Sequence, residues 1–320
     1  MAIVVQTDYA WPDDGIERAL IEAAGHRLVT GPSAPAPEAE IDALVAAHAP
    51  QAIMTCWARV SARAIAAAED LRIVQRIGVG LDNIDVEAAS ARGAWVANVP
   101  DYCVEEVSDH AVALMLDWAR GTVAFDREVK AGRWNPAGAK LRRVADLNVG
   151  IIGYGRIGRR TAQKLAAFGC RILIHTRTAP GDSLGRVCSL DALLASSDVV
   201  VLHLPYGGET HHLIDAAGLA RMRPGTLLIN VSRGGLVDTP ALIATLDKGH
   251  LSGAALDVIE GEPDPPRALV ARGDVIVTPH VAFSSDASLA ELRRRAAEEV
   301  VRVLAGKPPL HPCNQPREIS

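Results

Sequence analysis

The sequence predicts an α/β protein with two doubly wound parallel-sheet domains. Three observations lead there. The chain has 320 residues, too many for one compact core and enough for two. Short apolar runs alternate with helical stretches along most of its length, the pattern of strands joined by crossover helices. Most runs of the second half are continuously apolar, as expected of parallel strands covered on both faces.

The first hundred residues read as a small open α/β domain. AIVVQTD (2–8) is a strand; Asp13 and Asp14 can cap a helix carrying Ile16, Leu20 and Ala23, and Gly25 ends it. HRLVTG (26–31) is a second strand, and the proline-rich GPSAPAPEAE a loop. A helix with Ile41, Leu44 and Val45 on one face follows, then strand QAIMTC (51–56), helix SARAIAAAED (61–70) and strand LRIVQRI (71–77). Residues 104–131 form one long helical stretch, more polar from Gly121 onward, that bridges two domains or packs on another subunit. The second series has six strands: LNVGIIG, RILIHTR, DVVVLHLP, TLLINVS, GAALDV and DVIVTPH. A final helix, 288–305, opens on a capping box from Ser288 to Glu291 and turns Leu292, Ala296, Val300, Val303 and Leu304 inward.

The totals exclude several classes. Apolar residues are 49% and charged residues 22%, with net charge −5, so no basic face is offered to nucleic acid. No apolar run reaches the roughly 18 residues of a membrane span, and MAIVVQTD lacks the basic start of a secretion signal. The five cysteines (Cys56, Cys103, Cys170, Cys188, Cys313) are odd in number and form no CxxC. That favours reduced thiols in the cytoplasm over disulfides or a zinc site. No metal is expected: His211 and His212 lack a carboxylate or thiol cluster and read as a solvated loop. His203, inside an apolar strand, reads as a satisfied core histidine, and consecutive Ser108, Asp109 and His110 cannot make a triad on one helix face.

GYGRIG (153–158) matches G-x-G-x-x-G after a buried strand and at the start of a helix. Gly153 suits the tight turn, Gly155 the close approach of backbone to a pyrophosphate, and Gly158 the packing of helix on strand. The helix N-terminus offers N–H groups to phosphates, so a dinucleotide is the expected cofactor. The acid that should follow some 20 residues later to bind a ribose hydroxyl is missing; RILIHTR ends in His175, Thr176, Arg177 and Thr178. A guanidinium between hydroxyls suits a 2′-phosphate. NADP(H) is therefore the expected preference. Arg177 stacking on adenine or facing solvent, with NAD(H) used, is the alternative.

Arg233, Glu262 and His280 follow three of the later strands, where a doubly wound sheet places its ligand crevice. Each alone has a bland reading as a structural or solvated group. Together they fit reduction of a ketone: histidine protonates the oxygen, a carboxylate orients the ring, and arginine holds a neighbouring carboxylate group. Trp57 and Phe283, which also follow strands, are candidates for the substrate pocket or for core.

RIGVGLDNID (76–85), NVPDYCVEEVSDHAVALML (98–116), GYGRIG, NVSRGGLVD (230–238), GAALDVIEGEP (253–263) and TPH (278–280) occur in this order. With them the chain resembles the D-isomer-specific 2-hydroxyacid dehydrogenases, and within them the subgroup similar to the C-terminal binding protein. The resemblance implies Arg233, Glu262 and His280 as catalytic residues. It implies Val79 and Gly80 as substrate-binding backbone and Arg156, Ile157, Pro205, Val231 and Asp257 as cofactor contacts. It implies a Rossmann cofactor domain (100–285) inserted into a smaller flavodoxin-like substrate domain (1–99 and 286–320). A hinge at the crossovers and a homodimer through the helix after Pro100 are implied too. Three departures stand out: Thr176 replaces the acid, Ser108-Asp109 replaces alanine-glutamate, and the chain ends without the regulatory domain of some phosphoglycerate dehydrogenases. Glu262, where formate dehydrogenases carry glutamine, disfavours formate. The expected activity is reduction of a small 2-keto acid; the alternative is a dinucleotide-sensing protein like the co-repressors of that subgroup.

Overall fold

A computed structural model describes residues 1–178 and 181–316. The chain divides into two units, Met1–Tyr102 with Ser285–Ser320, and Cys103–Ser284.

The first unit contains β1 (Ile3–Gln6), α1 (Gly15–Ala23), β2 (Arg27–Thr30), α2 (Glu38–His48), β3 (Ala52–Thr55), α3 (Ala62–Ala67), β4 (Ile73–Arg76), α4 (Val86–Ala91) and β5 (Trp95–Ala97). The second contains α5 (Val104–Arg120), α6 (Thr122–Lys130), β6 (Asn148–Ile152), α7 (Arg156–Ala167), β7 (Arg171–His175), β8 (Arg186–Val187), α8 (Leu190–Ser196), β9 (Val199–Leu202), α9 (Ala216–Arg221), β10 (Leu227–Asn230), α10 (Thr239–Asp247), β11 (Gly253–Leu256), α11 (Arg267–Val270) and β12 (Val275–Val277). The chain returns to the first unit with α12 (Asp286–Leu304).

Both sheets are parallel. The first runs β2-β1-β3-β4-β5, the flavodoxin-like order, and reverses direction between β1 and β3. The second runs β12-β11-β10-β9-β6-β7-β8, the Rossmann order with an added strand, and reverses between β6 and β9. Those reversals place the ends of β6 and β9 side by side, which is where such sheets bind ligands.

One face of the first sheet buries Val5, Ile53, Val74 and Val96 against Val45, Ala64 and Ile65. The opposite face carries Gln6, Met54 and Gln75 in one register row, all buried. α1 packs on α12 in this unit, and their contact holds an ion pair: Arg293 Nη2 lies 2.7 Å from Glu17 Oε2, with Glu17 fully buried. The buried residues of α1 are therefore Glu17 and Ile21, with Ile16 and Leu20 half-buried, and the arginine of α12 holds the carboxylate inside. One face of the second sheet packs against Leu193, Leu194, Leu219, Leu242 and Leu246 of α8, α9 and α10. Each such buried leucine contributes roughly 2 kcal/mol.

Three elements differ from expectation. The stretch 104–131 is two helices: Gly121 ends α5 with φ +65, and the Asp117 carboxylate accepts the Val123 N–H to start α6. The last helix begins two residues early, and its capping box joins Ser285 and Ser288, whose shorter side chains reach the free N–H groups. Strand β12 is a half-exposed sheet edge, not a buried run.

Candidate functional site

The glycine-rich turn follows from packing. Gly153 has φ +95, and a Cβ there would lie 2.1 Å from the His203 carbonyl oxygen. A Cβ on Gly158 would lie 2.0 Å from the Gly153 carbonyl. A Cβ on Gly155 would meet nothing within 4 Å beyond its own chain neighbours. The outer glycines thus let strand and helix meet, and the middle one leaves room for a ligand to reach the backbone. Gly155 caps α7 without any side-chain hydrogen bond, so the first N–H groups of this helix remain available to an anion. Arg156 is exposed and Ile157 half-buried beside them. These features fit the pyrophosphate of a dinucleotide.

The rest of the expected cofactor set follows strand ends. Pro205 is exposed beyond β9, Val231 buried beyond β10, and Asp257 buried beyond β11. Thr176 is half-buried and Arg177 exposed directly after β7, the Arg177 guanidinium standing 3.9 Å from the Glu209 carboxylate. Nearby, Tyr154 Oη accepts the Leu184 N–H at 3.1 Å, and Arg159 stacks over the Tyr154 ring while bonding Asp182 at 2.6 Å. His203 is not the satisfied core histidine expected. Its Nε2 is buried without a hydrogen-bond partner, and burial depresses its pKa to about 3, so the ring is neutral.

His280 and Glu262 are brought together. His280 Nδ1 lies 2.8 Å from Glu262 Oε1, and the second carboxylate oxygen accepts the Ile259 N–H at 3.2 Å. His280 takes φ +53, a left-handed conformation that costs a non-glycine residue of order 1–2 kcal/mol. Asp257 holds it there. Its carboxylate accepts from Thr278 Oγ1 at 2.6 Å and from the N–H groups of Val281 and Ala282, each at 2.9 Å. Phe283 meets the His280 ring edge-on, with centroids 6.3 Å apart.

Arg233 lies on the turn after β10, pinned by Asn230 Nδ2 donating to its carbonyl at 2.8 Å and Ser232 Oγ donating to the Leu202 carbonyl at 2.7 Å. Next to it, a Cβ on Gly234 would lie 2.3 Å from the Ile259 carbonyl carbon. The turn bearing Arg233 and the turn bearing Glu262 are therefore in direct backbone contact.

In the first unit, Val79 and Gly80 belong to a loop wrapped around the buried Arg76 guanidinium. Arg76 Nε donates to the Gly80 carbonyl at 2.9 Å, Asn98 Nδ2 donates to the Val79 carbonyl at 2.7 Å, and Gly78 has φ +153 with a Cβ position 2.7 Å from Arg76 Nη1. Trp57 follows β3 on a turn whose N–H groups at Cys56, Trp57 and Ala58 all donate to the Asp8 carboxylate, at 3.0, 2.6 and 3.1 Å. The Trp57 ring lies 5.8 Å from the Arg76 guanidinium.

Several residues here gave no sign in the sequence. Asp8 and Arg76 look like strand-end polar residues, and nothing local marks them as anchors. The loop of His211 and His212 is largely exposed, as expected, but His212 is only partly so, and its Nε2 pairs with Glu260 Oε1 at 2.7 Å. His110 reaches Thr278 Oγ1 at 2.9 Å, while Asp109 pairs with Lys164 and Ser108 bonds its own helix backbone. No cluster of three metal-ligating side chains occurs among the described residues, and none of their helices is long and apolar enough to cross a membrane.

A family model described as "D-isomer specific 2-hydroxyacid dehydrogenase, NAD binding domain" matches residues 112–282. The chain is 41% identical over 256 residues to a D-3-phosphoglycerate dehydrogenase of Mycobacterium bovis, covering 78% of this chain and 48% of that protein. It thus spans about half the length of that relative. It is 38% identical over 265 residues to a glyoxylate reductase of Korarchaeum cryptofilum, covering 80% of each. Among solved structures it is similar to an NADPH-dependent glyoxylate/hydroxypyruvate reductase of Sinorhizobium meliloti, in complex with NADP and malonate. The TM-score is 0.87 at 29% identity, covering 100% of this chain and 99% of that one.

Proposed function

Since the chain belongs to the D-isomer-specific 2-hydroxyacid dehydrogenase family, we propose that it is a D-2-hydroxyacid dehydrogenase working as a reductase of small 2-keto acids. The observation that carries this reading is the 2.8 Å bond between His280 Nδ1 and Glu262 Oε1. The carboxylate occupies Nδ1, and Nε2 is the ring nitrogen we assign to the substrate. When bound, a reduced nicotinamide supplies hydride to the substrate's C2. His280 gives its proton to the C2 oxygen as negative charge grows there, and in the reverse direction takes the proton back. Glu262 orients the ring and selects the tautomer with Nδ1 protonated. Arg233 binds the carboxylate through two parallel N–H bonds and draws charge from the adjoining carbonyl. Val79 and Gly80 are the substrate contacts we assign to the first unit, with Trp57 there and Phe283 in the second shaping the choice of side chain.

The cofactor assignment is Gly153, Gly155, Arg156, Ile157 and Gly158 for the pyrophosphate, with Pro205, Val231 and Asp257 along the remainder. We assign Thr176 and Arg177 to a 2′-phosphate and hence a preference for NADPH. The exposed guanidinium after β7 supports this, as does the NADPH dependence of the similar Sinorhizobium reductase. The proposed domains are 1–99 with 286–320 for substrate and 100–285 for cofactor.

A second copy of the chain is the proposed partner. α6 buries none of its residues, and Trp134 just beyond it is 82% exposed, a cost in water that a homodimer removes. The cytoplasm, where thiols stay reduced, is the proposed location, on the odd number of cysteines in the sequence.

The test is a panel of glyoxylate, hydroxypyruvate, pyruvate and longer 2-keto acids, each assayed with NADH and NADPH. Turnover of at least one, abolished by His280→Asn, is expected. Tight cofactor binding with no turnover on any of them would replace this reading with the dinucleotide sensor.

A further inference from the structure

Glu262 is the last residue of a short turn, Ile259–Glu260–Gly261–Glu262, closed on itself by the Glu262 N–H donating to the Ile259 carbonyl and the Ile259 N–H donating to the Glu262 carboxylate. Such a turn could pivot as a body, taking the carboxylate off the His280 ring. Glu260 prevents this. Its Oε1 meets His212 Nε2 at 2.7 Å, and its Oε2 accepts the Thr239 N–H at 3.0 Å, at the start of α10. Both oxygens are thus committed to two other segments. His212 is itself fixed: it takes φ +49, and its N–H donates to the Gly235 carbonyl at 2.8 Å. Its ring stacks on His211 at 3.9 Å, and His211 Nδ1 lies 3.2 Å from Tyr206 Oη. The bonds from His212 and Thr239 outweigh burial and hold the Glu260 carboxyl below its ordinary range, so it is ionised at neutral pH.

We propose that Glu260, gripped by His212 and the Thr239 N–H, is a positioning residue that fixes the Glu262 carboxylate against the His280 ring. Together with the Gly234 contact it locks the arginine-bearing turn and the glutamate-bearing turn into one unit. Glu260 touches neither substrate nor cofactor; it acts through Glu262. The role rests on the proposed use of the Glu262–His280 pair, but its test does not need turnover.

The test is the titration of His280 by NMR in protein labelled at the histidine Cε1, with the resonance assigned from its loss in His280→Asn. In Glu260→Ala the carboxylate of Glu262 is no longer held, and the His280 midpoint falls by about half a pH unit or more. In Glu260→Gln the amide oxygen still accepts one of the two bonds, and the midpoint stays closer to wild type than to the alanine variant. An unchanged midpoint in Glu260→Ala overturns the proposal. So does an equal fall in both variants, which is what loss of a nearby negative charge alone would give. Should Glu260→Ala fail to fold, His212→Ala and His212→Gln make the same comparison from the other side. There a fall in the alanine variant is again expected, and an unchanged midpoint overturns the proposal. Absence of 2-keto acid reduction by wild type would refute the proposed function and leave this measurement standing.

Discussion

Asp257 is the clamp for His280. The His280 N–H donates to the Asp257 carbonyl at 2.8 Å, while the Asp257 carboxylate ties down both following N–H groups. A buried carboxylate with three donors on it thus holds the histidine in a backbone conformation that its side chain disfavours. Asp257→Asn presents an amide N–H to one of those donors. That mismatch costs about 1–3 kcal/mol and lets the ring drift. We expect a lower midpoint of thermal unfolding and a fall in kcat/KM of order 10- to 100-fold. An Asn variant with wild-type melting and rate would refute the clamp.

The residues after β7 should set cofactor choice. Arg177→Ala is expected to lower the ratio of kcat/KM for NADPH over NADH by about tenfold, one charged hydrogen bond's worth. Thr176→Asp, which offers a carboxylate to ribose hydroxyls and repels a 2′-phosphate, should lower it further. Steady-state kinetics with both coenzymes decide this, and an unchanged ratio in Arg177→Ala would return the residue to a solvent-facing role.

The Glu17–Arg293 pair bears on stability alone. Glu17→Ala leaves a guanidinium whose side chain is 9% exposed with the Asp13 carbonyl and carboxylate, at 2.7 and 3.3 Å, but without its buried carboxylate partner; breaking such a buried pair costs up to about 3–5 kcal/mol. Replacing both residues by methionine should recover most of that loss, since burial of the ions is itself costly. Urea unfolding of the single and double variants reads the difference. If the double variant is no more stable than the single, the pair's geometry contributes more than this account allows.

His203 predicts an acid sensitivity. Its folded pKa, about 3, lies below the unfolded value. Its contribution is therefore full above the unfolded value and is lost as pH falls, because the unfolded chain takes up the proton first. Between pH 7 and 5 this amounts to at most about 2 kcal/mol. Wild type should lose more stability over that interval than His203→Asn. Parallel pH dependences for the two would assign the acid sensitivity elsewhere.

The architecture was legible because periodicity and motif report on neighbours in sequence. Continuous apolar runs mark buried parallel strands, and the three glycines of 153–158 mark a turn whose packing admits no Cβ at its outer positions. Gly121 was visible too, yet its power to split a helix depended on Asp117 being placed to cap the next one. Glu17 shows the opposite limit. On an isolated helix it belongs to the outer face, and only an arginine 276 residues away turns it inward.

The residue types of the proposed chemistry, an arginine, a glutamate and a histidine each following a strand, were set by sequence and by the rule that strand ends gather at one edge. What pairs His280 with Glu262 and holds their turns in place came only with the tertiary structure. Asp257 under His280, Glu260 on His212 and Gly234 against Ile259 are contacts between segments that no local pattern pairs. Their strength depends on burial, which removes competing water and makes each unsatisfied donor costly. Local sequence sets which groups can ionise and which backbone can bend; the folded interior decides which of them meet.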